Sequence, residues 1–399
     1  MDSLNQKKRI IYLSLAGIVL LIGAYFVWRL FIRSSTPTQP TGQPPINGSV
    51  PGFPQGGGGA TTPNGTGTST PPITTLPPEA QKLLQLTDYA IIGPSLNKDE
   101  TRVLFYKKDG GGLYAIDFDA KATDKISPVT IIGLLEATWS RNRDRSTVEY
   151  LDGDTLKSFL HIGTSSVAVL PPNTYSPTWS PDGKSLAYLI ARDNLTNLII
   201  TDASGKNPRT VFSTPLPDAS ITWIAPQKIE FLTAPSGLAE GFSLVYTLGS
   251  GSLSQALGPF YGLATLWSPD GSKVLASFTD RTGRNPRLSI FGATGKELRR
   301  LSPHTLSDKC AWSPDGGDIY CAVPRRPPTG DAVWPDDYLR GEFESTDRVV
   351  DINTDTKEVA PVLDEGAFSL SNLFVTKDKA ILFFVNRIDG TLWRYKLKE

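Results

Sequence analysis

The chain has 399 residues, and its 40 lysines and arginines balance 40 aspartates and glutamates. A net charge of zero supplies no basic surplus to attract nucleic acid and no acidic block to serve as a solvating tail. Two histidines and two cysteines leave little material for a metal centre, so neither a metal nor any other cofactor is expected.

Residues 1–9 are polar and end in Lys7-Lys8-Arg9. Residues 10–32 follow as an apolar block. Ile10–Trp28 runs for 19 residues without a charge, and Leu30–Ile32 prolongs it beyond Arg29, whose side chain can snorkel to the interface. That length predicts a transmembrane helix. A cleaved signal peptide is the competing reading, but the apolar region exceeds a usual signal core and no small-residue cleavage site follows Trp28. Three cationic residues before the span, against Arg29 and Arg33 after it, favour a signal anchor in the cytoplasmic membrane. The amino terminus is then inside, and the rest of the chain is on the extracytoplasmic side.

Residues 33–80 read as a disordered linker. Ser34–Pro78 holds no charged residue and is dominated by proline, glycine, threonine and serine, so it cannot bury enough apolar surface to order itself. As a coil it would reach on the order of 35–40 Å. Gly56–Gly59 lacks the Lys-Ser/Thr context of a phosphate loop. Asn47, Asn64 and Asn194 begin glycosylation sequons.

From residue 81 to 399 one phrase recurs. Trp179, Trp267 and Trp312 each open W-S-P-D-G, with turn residues Asp182-Gly183, Asp270-Gly271 and Asp315-Gly316. Trp139 and Trp223 open degraded copies, and Leu96 and Phe374 fill the same slot in two weaker ones. From Trp139 onward the gaps are 40, 44, 44, 45 and 62 residues. A period of about 40–45 residues is that of a four-stranded propeller blade. The seven slots predict an all-β, seven-bladed β-propeller of four-stranded blades. The last copy supplies only three strands, so Lys82–Thr87 is read as the strand that closes the ring, since open edges invite aggregation. A short helix through Glu79–Leu84, opened by Pro77-Pro78, competes with it. The long final gap marks an insertion at residues 324–346 of blade six.

W-S-P-D-G followed by a β-rich run and a later D-x-x-G-K turn, as at Asp202–Lys206, resembles the WD40-like repeat of TolB-type propellers. The resemblance covers roughly Leu83 to the end of the chain. It implies the propeller fold and leaves function open, because such propellers serve binding proteins and enzymes alike. The membrane segment and linker stand where TolB has an α/β domain, so its particular role does not carry over. Some propellers of this repeat type are lyases with histidine-bound metal. Here only His304 lies in a predicted top-face connection, and His161 falls in a strand of blade two, so no catalytic role is expected.

The repeat tryptophans read as blade-to-blade packing and the repeat aspartates as turn residues. Asp351–Asp355 begins like a calcium loop but lacks its glycine and glutamate. The insertion is the candidate binding loop, on the top face opposite the W-S-P-D-G turns. It carries Arg325, Arg326, Trp334, Asp336, Asp337, Tyr338, Arg340 and Phe343. In it Trp334 and Tyr338 are expected to be exposed aromatic anchors, and Asp336-Asp337 solvated carboxylates. The partner would be an envelope protein or a cell-wall glycan. Cys310 lies two residues before Trp312 and Cys321 two after Ile319. If Trp312 and Ile319 face each other across the turn, the cysteines stand opposed within disulfide reach, as an oxidising compartment would allow. Two small buried thiols are the alternative.

Overall fold

The computed structural model describes residues 81–326 and 331–398. The expected cytoplasmic terminus, transmembrane anchor and linker, residues 1–80, lie outside the described residues. Among the described residues no helix is long and apolar enough to cross a membrane.

Seven antiparallel blades follow one another along the chain. Blade one is Ile91–Leu96, Arg102–Lys107, Leu113–Asp117 and Thr123–Lys125, and blade two is Leu134–Trp139, Arg145–Asp152, Thr155–Ile162 and Ser166–Val169. Blade three is Thr174–Trp179, Ser185–Arg192, Leu195–Asp202 and Arg209–Thr214. Blade four begins with Ser220–Ala225, Lys228–Leu232 and Glu240–Thr247. Its outer strand is the first part of Ser252–Trp267, which runs on without a break as the inner strand of blade five. Blade five continues with Lys273–Thr279, Arg287–Gly292 and Glu297–Leu301. Blade six is Cys310–Trp312, Asp318–Pro324, Asp347–Asn353 and Val359–Leu363, and blade seven contributes Leu370–Val375, Ile381–Asn386 and Thr391–Lys396.

The fourth strand of blade seven comes from the other end of the domain. Leu83, Leu84 and Gln85 pair with Tyr395, Arg394 and Trp393. The closing segment is therefore a strand at residues 83–85, and the competing helix is not formed there.

Each blade buries both faces, one against each neighbour. In blade three, Leu186 and Tyr188 point to blade two while Ala187 and Leu189 point to blade four. Blade six repeats this: Ile319, Cys321 and Val323 pack on blade five, and Tyr320 and Ala322 on blade seven. Strands covered on both faces read as continuous apolar runs, which is why the second strand of each repeat lacks a polar alternation. Seven apolar clusters result, one at each seam of the ring. Each fully buried Leu, Ile or Phe in them contributes about 1.5–3 kcal/mol.

The W-S-P-D-G phrase makes a seam and a turn together. The indole of Trp179 donates to the Thr138 carbonyl of the preceding blade at 3.2 Å, and Trp312 donates likewise to Leu266 at 3.0 Å. Trp139 donates to Gly93 at 2.7 Å. In the turn, the Ser180 hydroxyl donates to Asp182 at 2.6 Å and accepts the Ser185 amide at 2.9 Å. Gly183 takes φ +69°, open to glycine at little cost. The same bonds recur at Ser268–Asp270 and Ser313–Asp315. Hydroxyl and amide donors hold Asp182 and Asp270 below the usual carboxylate range, Asp270 at about 2, and at Asp315 the Lys379 ammonium leads, followed by the Ser313 hydroxyl. Inner strands also carry bulges that the sequence does not advertise, such as that between Ile92 and Ser95. Gly93, at φ +57°, permits that bulge, since a Cβ there would stand 2.6 Å from the Ala137 side chain.

Between blades one and two lies a buried polar cluster. The Tyr106 hydroxyl contacts Ser146 Oγ at 2.8 Å and His161 Nδ1 at 2.6 Å, and all three side chains are buried. The trio resembles a catalytic set but has no access to solvent, so its role is to join the seam. Burial lowers the His161 pKa below its ordinary 6.5. Below that pH the unfolded chain binds a proton that the folded seam resists, so stability declines as pH falls through 6.5 and below. In urea unfolding between pH 7 and pH 5, the His161→Gln variant is expected to show a shallower pH dependence than the parent. Parallel slopes would mean that His161 is not the group responsible.

Candidate functional site

The insertion leaves blade six after Pro324 and returns at Asp347, two residues that pair across the sheet. It therefore rises from the end opposite the W-S-P-D-G turns. Its described part folds into a single helical turn, Asp336–Leu339, and packs down on the ring. Trp334 and Tyr338 are buried, at 2% and 5% exposure. Their rings stack at 6.0 Å, Phe343 meets Trp334 edge-on at 5.0 Å, and Leu306 completes the cluster. The expectation of exposed aromatic anchors is thereby corrected. An aromatic pair in a loop rich in proline and charge has enough apolar area to build its own small core when the ring offers a surface.

Polar groups fix this element to three other blades. Asp336 accepts the Ser236 hydroxyl at 3.0 Å and the Gly237 amide at 2.7 Å, both in blade four. The Trp334 amide donates to the Gly283 carbonyl of blade five at 2.7 Å. Gly237 has to be glycine here, because a Cβ would come within 2.2 Å of the Trp334 carbonyl. From blade seven, Arg387 donates to the Tyr338 carbonyl at 2.6 Å and lies over the Tyr338 ring at 4.1 Å. Asp337 accepts the Val333 amide at 2.7 Å and pairs with Arg340. Asp336 thus ties the insertion to blade four and Asp337 binds within it, so neither is the solvated carboxylate expected.

Beneath the insertion, Lys309 and Asp347 form an ion pair of 2.7 Å with both side chains fully buried. Ser345 bonds both partners, and Asp347 also accepts the Leu370 amide. The Lys309 ammonium lies 5.1 Å from the Tyr338 ring centre. Burial lowers the Lys309 pKa, and Asp347 opposes the shift. Removing one partner of such a pair leaves a buried charge at a cost of about 3–5 kcal/mol. Sequence reasoning missed Lys309 and Arg387 because nothing in the sequence announces the burial of the one or the contact of the other with Tyr338.

Of the remaining candidates, Arg325 pairs with Asp364 at 3.3 Å, while Arg326 is exposed. Arg340 also pairs with Glu342 at 3.1 Å, and Phe343 is half-buried. Cys310 and Cys321 are directly opposed in register and joined by a disulfide of 2.09 Å, with Cα atoms 4.1 Å apart. Among the described residues no three His, Cys, Asp or Glu side chains converge to hold a metal.

The insertion walls a cleft of about 430 Å³ between blades five and six. Its base is Pro286, Pro303, Val323 and Trp334. Its rim holds Arg284, Asn285, His304 and Arg348. His304, the one histidine expected on this face, is exposed, and its Nδ1 donates to the Pro286 carbonyl at 2.9 Å. Arg284 and Asn285 end a turn closed by Asp280, which takes bonds from Thr282, Arg284 and Asn285. The D-x-T-G-x-N spelling of that turn was readable, because Asp202–Asn207 spells nearly the same thing. That it ends at a cleft was not.

Repeats and fold together make this a seven-bladed β-propeller of four-stranded blades. No protein-family model matches the chain. An oligogalacturonate lyase in complex with manganese has a similar structure, with a TM-score of 0.59 at 12% identity over 79% of this chain and 93% of that one. The β-propeller domain of the Trilobed protease from Pyrococcus furiosus aligns with a TM-score of 0.52 at 14% identity, over 78% of this chain and 98% of that one. The uncharacterized peptidase YuxL of Bacillus subtilis (strain 168) is 34% identical over 105 residues, which are 26% of this chain and 15% of that protein. The chain thus aligns with about a seventh of the curated relative's length. Against the expectation of no catalytic role, one similar structure is that of a lyase and the curated relative is named an uncharacterized peptidase.

Truncating Trp334 to alanine should cost the insertion about 3–5 kcal/mol of local stability. Hydrogen exchange is the check: amides in residues 331–346 should lose protection while the strands of blades one to three keep theirs. Unchanged protection in the insertion would mean that the Trp334 cluster does not hold it.

Proposed function

We propose that this chain is a membrane-anchored propeller working on the extracytoplasmic side as a binding module, which engages an envelope protein or a cell-wall glycan through its top face. The observation that carries this reading is the packing of the blade-six insertion. It is tied to blades four, five and seven and walls a cleft on that face. A preorganised wall loses little freedom when a ligand arrives. The Cys310–Cys321 disulfide supports an oxidising compartment, and the uncharged Ile10–Trp28 stretch supports an anchor.

The test uses the full chain solubilised from membranes in detergent. Affinity capture is compared with a variant in which a short Gly-Ser turn joins Pro324 to Asp347. A specific envelope component should be captured by the parent and lost from the variant. Protease added to spheroplasts should release the propeller by cutting within residues 34–78. Identical capture by the two proteins, or a propeller digested only after lysis, would sink the reading.

An enzyme acting on envelope glycans or peptides is a second reading, supported by the oligogalacturonate lyase and peptidase likenesses. Incubating the purified chain with anionic oligosaccharides, with and without manganese, should yield shortened products if it holds. Intact substrates under both conditions would count against a glycan-cleaving role.

A further inference from the structure

The cleft between blades five and six has a charge that the chain as a whole lacks. Arg284 and Arg348 line it and no carboxylate does, in a protein whose charges sum to zero. Arg348 makes no ion pair among the described residues. Arg284 is already paired with a carboxylate, that of Asp331 in the insertion, and that aspartate is almost wholly exposed. A carboxylate therefore suits the guanidinium geometry here, and the one in place is not locked by burial. Exposed pairs of this kind are worth little and exchange readily. Asn285 and His304 add hydrogen-bonding groups at the rim.

We infer that this cleft is a recognition site for the carboxylate side chain of an acidic peptide segment, a deepening that rests on the top face being a binding face. Arginine clusters recognise acidic motifs through charge-assisted and bidentate hydrogen bonds. The apolar base accepts the aliphatic residues flanking a glutamate or aspartate. An anionic sugar would satisfy the rim equally well, but the base offers no aromatic plate on which a ring can stack. Trp334, the aromatic residue lining the cleft, is 2% exposed. A peptide is favoured for that reason.

The experiment immobilises the full chain in detergent and offers three probes. These are a library of capped pentapeptides with glutamate fixed at the centre, the same library with glutamine there, and a hyaluronan tetrasaccharide. Retention of the glutamate library should exceed that of the glutamine library by roughly tenfold, the low end for a hydrogen bond to a charged group. Arg348→Ala should abolish the preference without moving the thermal midpoint, Arg284→Ala should weaken it, and Arg348→Lys should keep part of it. Equal retention of the two libraries, preferential retention of the tetrasaccharide, or an unaffected Arg348→Ala variant overturns the inference. The broader reading fails separately. Envelope capture that depends on the insertion but not on Arg348 leaves the binding module standing and removes this site, whereas capture indifferent to the insertion removes the module.

Discussion

The structure depends on blades that bury both of their faces and on a ring that has to close. A single four-stranded sheet of this kind would expose an apolar face on each side, and no blade has a core of its own. Stability therefore resides in seven seams, each made of alternate residues from two neighbouring blades. The first and last blades share a seam like any other, built from Leu96, Val103 and Phe105 on one side and Phe383, Val385 and Leu392 on the other. The three-residue strand Leu83–Gln85 completes blade seven, and the Thr87 hydroxyl accepts the Leu392 amide at 3.0 Å just beyond it. Few residues are involved, yet they tie the start of the domain to its last blade, which without them would have three strands.

The insertion shows how such a scaffold acquires a feature that does not repeat. It is too short to fold alone, with three aromatic rings and, among its described residues, one helical turn. It becomes ordered by borrowing: a carbonyl from blade five, an amide and hydroxyl from blade four, and a guanidinium from blade seven. Under it the buried Lys309–Asp347 pair contributes little net stability, because desolvating both charges offsets much of their attraction. What the pair fixes is the geometry of Ser345, Asp347 and the Leu370 amide at the place where the insertion rejoins blade six. The disulfide lies on the same blade, linking its inner two strands. One of these begins at Cys310, directly after Lys309, and the other ends at Pro324, where the insertion starts. Staple and ion pair thus stand at the two ends of the loop.

Much of this fold was legible because its determinants are local. A proline, an aspartate and a glycine in succession specify a turn whatever surrounds them. A tryptophan before that turn at a steady interval specifies a blade, and the residue count across Ser313–Asp318 was enough to oppose Cys310 and Cys321. The closing strand was legible by a different logic, from the requirement that blade seven lack no partner. What the sequence by itself could not decide was the fate of side chains whose neighbours come from distant blades. Trp334 and Tyr338 look like exposed anchors in a charged, proline-rich loop, and Asp336 looks solvated. Each is satisfied by groups about 50 to 100 residues away in the chain, namely Gly283, Arg387, Gly237 and Ser236. Lys309 looks like a surface lysine until Asp347 is found beside it. The bulges of the inner strands and the arginine-lined cleft belong to the same class. They arise where several blades meet, so their chemistry is set by the ring's closure in space and by no single repeat.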